Sequence, residues 1–121
     1  MNKKLLVVDD DLMSRKMLEM SLSWHWFDVS TANSWKVAIE KFRERTFDII
    51  FMDICMPEMD WIETTKAIKT IANINKAKIT SIIWLTATLA DNIEEKEVFD
   101  FIMEKPIKLN EIIDYLREHG N

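Results

Sequence analysis

Four short strand-like runs, each followed by polar side chains, constrain the fold of this chain more than any other feature. The runs are residues 5–8, 49–52, 82–85 and 99–103, and the polar residues after them are Asp9, Asp10, Asp53, Thr86 and Lys105. Continuous apolar runs are typical of parallel strands that are covered on both faces. Because the carboxyl ends of such strands lie at one edge of an open sheet, we expect these polar groups to meet in one pocket. Carboxylates beside a hydroxyl and an ammonium group suit a hard cation and a phosphoryl group.

The segments between these runs show helical periodicity. One helix is predicted from Leu12 to about Ser23, with Met13, Met17 and Met20 at helical spacing and interpreted as core residues. Ser34 can cap a second helix. A weaker strand is predicted at residues 27–31, the fourth strand at 79–85, and further helices at 62–71, 89–97 and from 109 onward. Alternating strands and helices predict a parallel α/β sheet with right-handed crossovers.

Length and composition fit one small domain, which we expect to span residues 1–121. The formal net charge of -5 and the pI of about 5.0 argue against a basic nucleic-acid-binding surface. The sequence contains no apolar stretch long enough to span a membrane, and we expect no signal peptide before the first strand. Cys55 is the only cysteine, so an internal disulfide is impossible, and a reducing cytoplasm is the expected compartment.

Each polar residue also has an ordinary structural interpretation. An aspartate pair after a strand usually forms a turn or a helix cap, and Asp11 fits a cap of the first helix. A threonine at a strand end usually reflects β-propensity, and a lysine before proline is usually solvated. His25 and His119 have no ligand partner at a useful spacing, so neither is predicted to be catalytic. The functional interpretation depends on the four motifs occurring together in sheet order.

As a set, the segments VVDDD (7–11), FMDICMPEMD (51–60), WLTA (84–87) and EKPI (104–107) resemble the receiver domain of bacterial two-component response regulators. The resemblance runs from Lys3 to about Glu118. It implies a flavodoxin-like, doubly wound parallel sheet of five strands in the order 2-1-3-4-5, with helices on both faces. It also implies that Asp53 is the phosphoacceptor, that Lys105 pairs with a phosphoryl oxygen and that Thr86 hydrogen-bonds another. The implied ligands of Mg2+ are Asp9 (through water), Asp10, Asp53 and the backbone carbonyl of Cys55.

The resemblance implies a signalling phosphoacceptor rather than an enzyme, one that takes a phosphoryl group from phosphohistidine. The expected partner is a sensor histidine kinase or a histidine phosphotransfer protein, with no nucleic acid or membrane contact by this chain. One alternative is an interaction module of the same fold that is never phosphorylated. A second is a Mg2+-dependent phosphatase with an aspartate nucleophile. The phosphatase is disfavoured because such enzymes usually carry a second acid two residues after the nucleophile, where this chain has Cys55.

Glycine is nearly absent and tryptophan is abundant. Gly120 is the only glycine, while five tryptophans fall at positions where the resembling family has or tolerates glycine: Trp24, Trp26, Trp35, Trp61 and Trp84. One hypothesis is that these codons are UGA, which some genetic codes read as glycine and others as tryptophan. Deliberate substitution and simple divergence are the alternatives. Exposed tryptophans would favour self-association.

Overall fold

The computed structural model describes residues 3–53, 63, 66–67, 69–70, 81–86, 101–105 and 107–119. The strands are β1 (Lys4–Val8), β2 (Asp28–Ala32), β3 (Ile49–Asp53), β4 (Ser81–Thr86) and β5 (Phe101–Glu104). The helices with defined bounds are α1 (Leu12–Trp24), α2 (Trp35–Glu44) and α3 (Leu109–His119). Within these described ranges, no helix is both long and apolar enough to cross a membrane.

The five strands form one parallel sheet in the order β2-β1-β3-β4-β5. The predicted fold class and strand order are therefore confirmed. The strand ends differ from the prediction by a residue, since β4 continues to Thr86 and β5 to Glu104. The order reverses between β1 and β3, and this reversal places the carboxyl ends of those two strands side by side at the centre of the sheet.

Two apolar clusters cover the two faces of the sheet. On one face, Ala38 and Phe42 of α2 pack against inward residues of β1, β3 and β4 such as Leu6 and Ile50. On the other face, α1 and α3 pack against the alternate residues of the same strands, Leu5, Val7, Phe51, Ile83 and Leu85. Because successive strand residues point to opposite faces, a strand buried on both sides must be apolar throughout. The helices therefore lie on both faces, as predicted.

Side chains cap the first two helices. The carboxylate of Asp11 accepts a hydrogen bond of 2.9 Å from the backbone N–H of Ser14, and the hydroxyl of Ser34 accepts one of 3.3 Å from Val37. Each cap satisfies a donor that the first helical turn leaves without an intrahelical partner. Both predicted caps are confirmed. The cap bond from Ser14 also holds the pKa of Asp11 below its ordinary value, since it favours the charged form.

The prediction for the α1 methionines is wrong. Met13, Met17 and Met20 are 69%, 66% and 68% exposed, and the sheet-facing side of α1 carries Leu18 and Leu22 instead. Helical spacing alone does not say which of two apolar faces of a helix is buried. The third predicted helix is described at five residues, which are helical: Glu63, Lys66, Ala67, Lys69 and Thr70. The sequence also predicts an inner stripe for this helix, formed by Ile62, Thr65, Ile68 and Ile71. This stripe and the predicted helix at 89–97 lie outside the described residues.

The tryptophans occupy dissimilar environments. Trp26 has a backbone φ of 69°, the one positive value at a non-glycine residue in the described ranges. Only glycine enters this left-handed region without a steric penalty, so Trp26 does occupy a glycine-like position. Trp84 is fully buried in β4 and packs in the core cluster with Ile82, and this burial counts against a glycine-like position there. Trp61 lies outside the described residues.

Replacing Trp26 by glycine should stabilise the fold. The indole is 80% exposed, so its removal costs little packing. The substitution also removes the steric strain of a side chain on a residue in the left-handed region. The greater chain entropy of glycine in the unfolded state opposes this gain. We expect a net increase of about 0.5–1 kcal/mol in the free energy of unfolding. Urea denaturation of Trp26→Gly and the parent measures it.

Trp24→Gly is the matched control, because Trp24 is 82% exposed but ends α1 in helical conformation. Glycine should cost about 0.5 kcal/mol there. Equal effects of the two substitutions, in either direction, would contradict the assignment of strain to Trp26.

Candidate functional site

The register of the sheet brings the predicted polar residues to one edge. Asp9 directly follows β1, and Asp53 and Thr86 are the last residues of β3 and β4. Val8 lies opposite Met52 and Asp53 lies opposite Leu85, so the strands end almost level with one another. The backbone N–H of Lys105 donates to the carbonyl of Thr86 at 2.6 Å, which fixes the chain after β5 at the same edge.

Lys105 joins two of the carboxylates. Its Nζ atom lies 2.9 Å from Oδ2 of Asp9 and 2.9 Å from Oδ2 of Asp53. Both aspartates are buried, and the lysine side chain is 23% exposed. Removing a carboxylate from water is costly unless a cation and hydrogen bonds compensate it. The two ion pairs supply this compensation, and among the described residues every buried side-chain nitrogen or oxygen atom has a hydrogen-bond partner.

A third carboxylate completes an acidic cluster. Asp10 is exposed, and one oxygen from each of Asp9, Asp10 and Asp53 lies within 4.8 Å of the others. Carboxylate oxygens are the ligands that Mg2+ prefers, and Mg2+ commonly uses few protein carboxylates and keeps several waters. The donor set of two buried carboxylates and one exposed carboxylate fits this ion. The backbone carbonyl of Cys55, the fourth implied ligand, lies outside the described residues.

The loop from β1 to α1 is held by backbone hydrogen bonds. Asp9 Oδ1 accepts from the backbone N–H of Asp11 at 2.9 Å, and the N–H of Asp9 donates to the carbonyl of Ala32 at 3.1 Å. Arg15 Nη1 donates to the carbonyl of Asp9 at 2.8 Å. The sequence analysis did not predict this contact of Arg15. Arg15 lies one helical turn after the cap residue Asp11, on the same side of the helix, and this spacing could have indicated that it reaches the same loop. The backbone of Asp9 is thus held by Ala32 and Arg15, and its carboxylate accepts hydrogen bonds from Asp11 and Lys105.

Burial and charge act in opposite directions on Asp9. Desolvation raises the pKa of its carboxyl group above the ordinary value, and the neighbouring carboxylate of Asp53 adds to this. The hydrogen bond and charge of Lys105, with the N–H of Asp11, lower the pKa but do not cancel the burial effect. An ionised Asp9 is therefore held at a cost in stability, which an additional cation would reduce.

The pKa of Lys105 is shifted in the direction expected of a cation paired with carboxylates. Partial burial lowers the pKa of its ammonium group, but the hydrogen bonds to Asp53 and Asp9 outweigh burial, so that the net pKa lies above the ordinary value. Lys105 therefore stays charged at neutral pH and acts as a fixed positive charge between two carboxylates. A point charge with three donors suits an ion or group that carries several oxygens.

A cavity of about 450 Å3 opens beside this site, between α1 and the start of α3. Asp9 and Lys105 form its polar end, and Met17, Leu18 and Leu109 contribute to its apolar wall. An apolar opening with a few charged groups at one end is typical of a site that admits a ligand in one orientation. The cavity gives the Lys105 ammonium group an approach from the α1 side of the sheet.

The structure thus brings Asp9, Asp10, Asp53 and Lys105 together. Thr86 is buried at the same sheet edge, on the strand next to Asp53. His25 is exposed at the end of α1, where its Nδ1 lies 3.0 Å from the carbonyl of Ser21.

Comparison with known proteins decides the family. Residues 5–117 match the response regulator receiver domain. The chain belongs to this family. It is therefore a receiver domain of two-component signalling systems. The family match covers every described residue of the acidic cluster and Lys105.

This receiver is 31% identical over 122 residues to the chemotaxis protein CheY of Bacillus subtilis, with 100% of both chains covered. It is 43% identical over 70 residues to the transcriptional regulatory protein ZraR of Escherichia coli O157:H7, an alignment that spans 58% of this chain and 16% of that relative. The crystal structure of the receiver domain of the histidine kinase CKI1 from Arabidopsis thaliana, complexed with Mg2+ and BeF3-, superimposes with a TM-score of 0.82 at 30% identity. That similarity covers 96% of this chain and 88% of the other.

Removing the Lys105 charge should destabilise the receiver in a pH-dependent way. We expect Lys105→Met to lower the free energy of unfolding by about 2–4 kcal/mol near neutral pH, because two buried carboxylates lose their cation. The folded-state pKa of Asp9 already lies above its unfolded value, and loss of Lys105 raises it further. As the pH falls through that pKa, Asp9 binds a proton and the penalty shrinks. Urea denaturation at about pH 7 and about pH 4.5 measures the difference.

Lys108→Met provides the control, because Lys108 is exposed three residues further on. Its effect should stay within about 0.5 kcal/mol at both pH values. A Lys105→Met penalty that is the same at both pH values would show that lost packing, rather than charge, is responsible.

Proposed function

We propose that this receiver accepts a phosphoryl group on Asp53 from phosphohistidine, with Mg2+ as cofactor and with Lys105 and Thr86 as the side chains that contact the phosphoryl oxygens. The observation that carries the proposal is the placement of the Lys105 ammonium group 2.9 Å from both Asp9 and Asp53, at the carboxyl edge of the sheet. The cation lies where negative charge would accumulate during phosphoryl transfer, and catalysis of this reaction consists mainly of positioning and charge neutralisation.

The proposed reaction leaves the phosphoryl group on a carboxylate. An oxygen of Asp53 forms a bond to phosphorus while the bond from phosphorus to the histidine ring nitrogen breaks. The nitrogen keeps the electron pair and takes up a proton from solvent. The product is an acyl phosphate at the end of β3, beside the site where Lys105 is already held.

Asp9 keeps Lys105 in place during this change. Lys105 is bonded to two carboxylates, so the conversion of Asp53 to an acyl phosphate leaves the bond to Asp9 intact. The ammonium group can then turn one of its three donors to a phosphoryl oxygen without leaving the site. Thr86, on the neighbouring strand, supplies a hydroxyl that can donate to another oxygen and so report phosphorylation to β4.

Mg2+ is the cofactor that the acidic cluster fits. Asp9, Asp10 and Asp53 would hold the ion, directly or through water, and the 30% identical CKI1 receiver is complexed with Mg2+. When bound, the ion neutralises charge on the transferring group. On this chain, Asp10 is the exposed member of the cluster and therefore the carboxylate that solvent-borne Mg2+ reaches first.

The wider assignments rest on the same family. We place the partner of this receiver among sensor histidine kinases and histidine phosphotransfer proteins, since the similar CKI1 receiver belongs to a histidine kinase. We propose a single receiver domain over residues 1–121, a signalling rather than an enzymatic role, and the cytoplasm as its compartment, which the single cysteine favours.

Asp53→Asn should abolish phosphoryl uptake. The amide keeps the shape of the side chain but is a poor nucleophile, so incubation with a small phosphodonor and Mg2+ should add one phosphoryl group to the parent and none to the variant. Intact-mass spectrometry measures the product. Asp28→Asn, an exposed aspartate on the edge strand β2, is the control and should be labelled like the parent.

Three other results would contradict the proposal. Labelling of Asp53→Asn at the parental level would place the acceptor elsewhere. No labelling of the folded parent would favour a receiver-like interaction module, whereas steady release of phosphate without any labelled protein would favour a phosphatase.

Asp10→Asn should weaken Mg2+ binding at least tenfold, because the ion loses a charged oxygen ligand. Isothermal titration calorimetry of the unphosphorylated protein measures this without any phosphoryl transfer. Asp11→Asn is the control: Asp11 adjoins the cluster but caps α1, and asparagine is an equally good cap. Equal Mg2+ affinities of Asp10→Asn and the parent would remove Asp10 from the proposed ligands.

A further inference from the structure

Arg15 is the polar end of the sheet-facing side of α1. Leu18 and Leu22 lie three and seven residues after it, which places all three residues on one side of the helix. The two leucines pack in the apolar cluster that α1 and α3 share with the sheet. Arg15 is half-buried and extends to the end of β1, where its Nη1 atom donates to the carbonyl oxygen of Asp9 at 2.8 Å. The guanidinium group is therefore held by a helix whose own position on the sheet is fixed by packing.

The bond from Arg15 acts on the peptide unit that joins Asp9 to Asp10. The carbonyl oxygen of Asp9 and the Cα atom of Asp10 belong to the same planar unit, so fixing one fixes the direction of the other. The N–H of Asp9 donates to the carbonyl of Ala32 in β2 at 3.1 Å. The backbone of Asp9 is thus bonded to the sheet through its N–H and to α1 through its carbonyl. These two bonds set the direction in which the chain continues to Asp10.

That direction decides whether the two neighbouring carboxylates can meet. In a regular strand, successive side chains point to opposite faces of the sheet. A straight continuation of β1 would therefore separate the side chains of Asp9 and Asp10. One carboxylate oxygen of each nevertheless lies within 4.8 Å of the other and of Asp53. The turn that makes this possible is closed by the N–H of Asp11, which donates to Oδ1 of Asp9 at 2.9 Å.

From these observations we infer that Arg15 is a positioning residue for the divalent cation, because its bond to the Asp9 carbonyl sets the peptide that brings the Asp10 carboxylate beside Asp9 and Asp53. The inference rests on the proposed Mg2+ site. Arginine has no acceptor atom and cannot itself bind the ion, so it acts only through the aspartates. Loss of a group that orients metal ligands typically lowers metal affinity by about 10–100-fold.

Position and charge predict opposite effects for the loss of Arg15. A guanidinium group near three carboxylates repels a divalent cation, so through charge alone its removal would tighten Mg2+ binding. Loss of the hydrogen bond instead frees the peptide between Asp9 and Asp10. The two carboxylates would then have to be ordered at the moment of binding, which lowers affinity. The sign of the change in affinity therefore separates positioning from charge.

Isothermal titration calorimetry of the unphosphorylated full chain with Mg2+ alone measures this sign. Arg15→Met keeps an unbranched apolar stem but has neither donor nor charge, and its Kd for Mg2+ should be about tenfold higher than that of the parent. Arg15→Lys keeps the charge and a donor on a shorter side chain, and its Kd should lie between the two. Lys16→Met is the matched control, because Lys16 is 61% exposed and lies 3.6 Å from Glu19 on the outer side of α1. It removes the same charge and should leave the affinity unchanged or slightly higher.

Amide hydrogen exchange in the absence of Mg2+ gives a second measurement that does not depend on the ion. The N–H of Asp11 should exchange faster in Arg15→Met than in the parent, since the turn that it closes is less well held. Exchange at Leu6, in the middle of β1, should be the same in both proteins. This pair of amides distinguishes a loosened loop from a general loss of stability.

Circular dichroism establishes that each variant is folded. A Kd of folded Arg15→Met equal to or below that of the parent would overturn the inference, and so would an equal loss of affinity in Lys16→Met. A parent that binds no Mg2+ would instead refute the proposed cofactor. In that case, unchanged exchange of the Asp11 amide in Arg15→Met would show that Arg15 does not order the loop either.

Discussion

The site depends on one interaction, the ammonium group of Lys105 held between the buried carboxylates of Asp9 and Asp53. Two carboxylates at the centre of a parallel sheet would repel each other and lose their hydration. The lysine compensates both, and the parallel strand order brings it there from a position 52 residues after Asp53. The fold makes this meeting possible because β5 ends at the same sheet edge as β1 and β3.

The same arrangement explains why the site is suited to a cation and a phosphoryl group. Two carboxylates share one ammonium group, so the site still has unbalanced negative charge, and burial raises the pKa of Asp9 even with Lys105 present. Asp10 adds a further carboxylate from the solvent side. A bound divalent cation would reduce this imbalance, and a phosphoryl group would bring oxygens to a lysine that is already in place. Stability and proposed function thus depend on the same charges.

Helix α1 connects the site with the surface. Its cap, Asp11, donates its backbone N–H to Asp9, and Arg15 bonds the carbonyl of Asp9. Its inner face packs on the sheet, while its outer face exposes Met13, Met17, Met20 and Trp24. Met17 belongs both to that exposed face and to the wall of the cavity beside Lys105. A partner on the outer face of α1 would therefore contact the same helix that positions the acidic cluster.

The sequence alone determined the fold class, the strand order through its family resemblance, the two helix caps and the residues of the acidic edge. Continuous apolar runs that end in Asp9, Asp53 and Thr86 allow few other arrangements, since a strand buried on both faces must lie inside a parallel sheet. Only the tertiary structure decided which apolar face of α1 is covered, because helical periodicity is equally compatible with burial of Met13 and burial of Leu18. It also decided that Trp26 is strained while Trp84 is core, and that Lys105 contacts both carboxylates. Contacts between strand ends depend on distances that residue spacing along the chain does not contain.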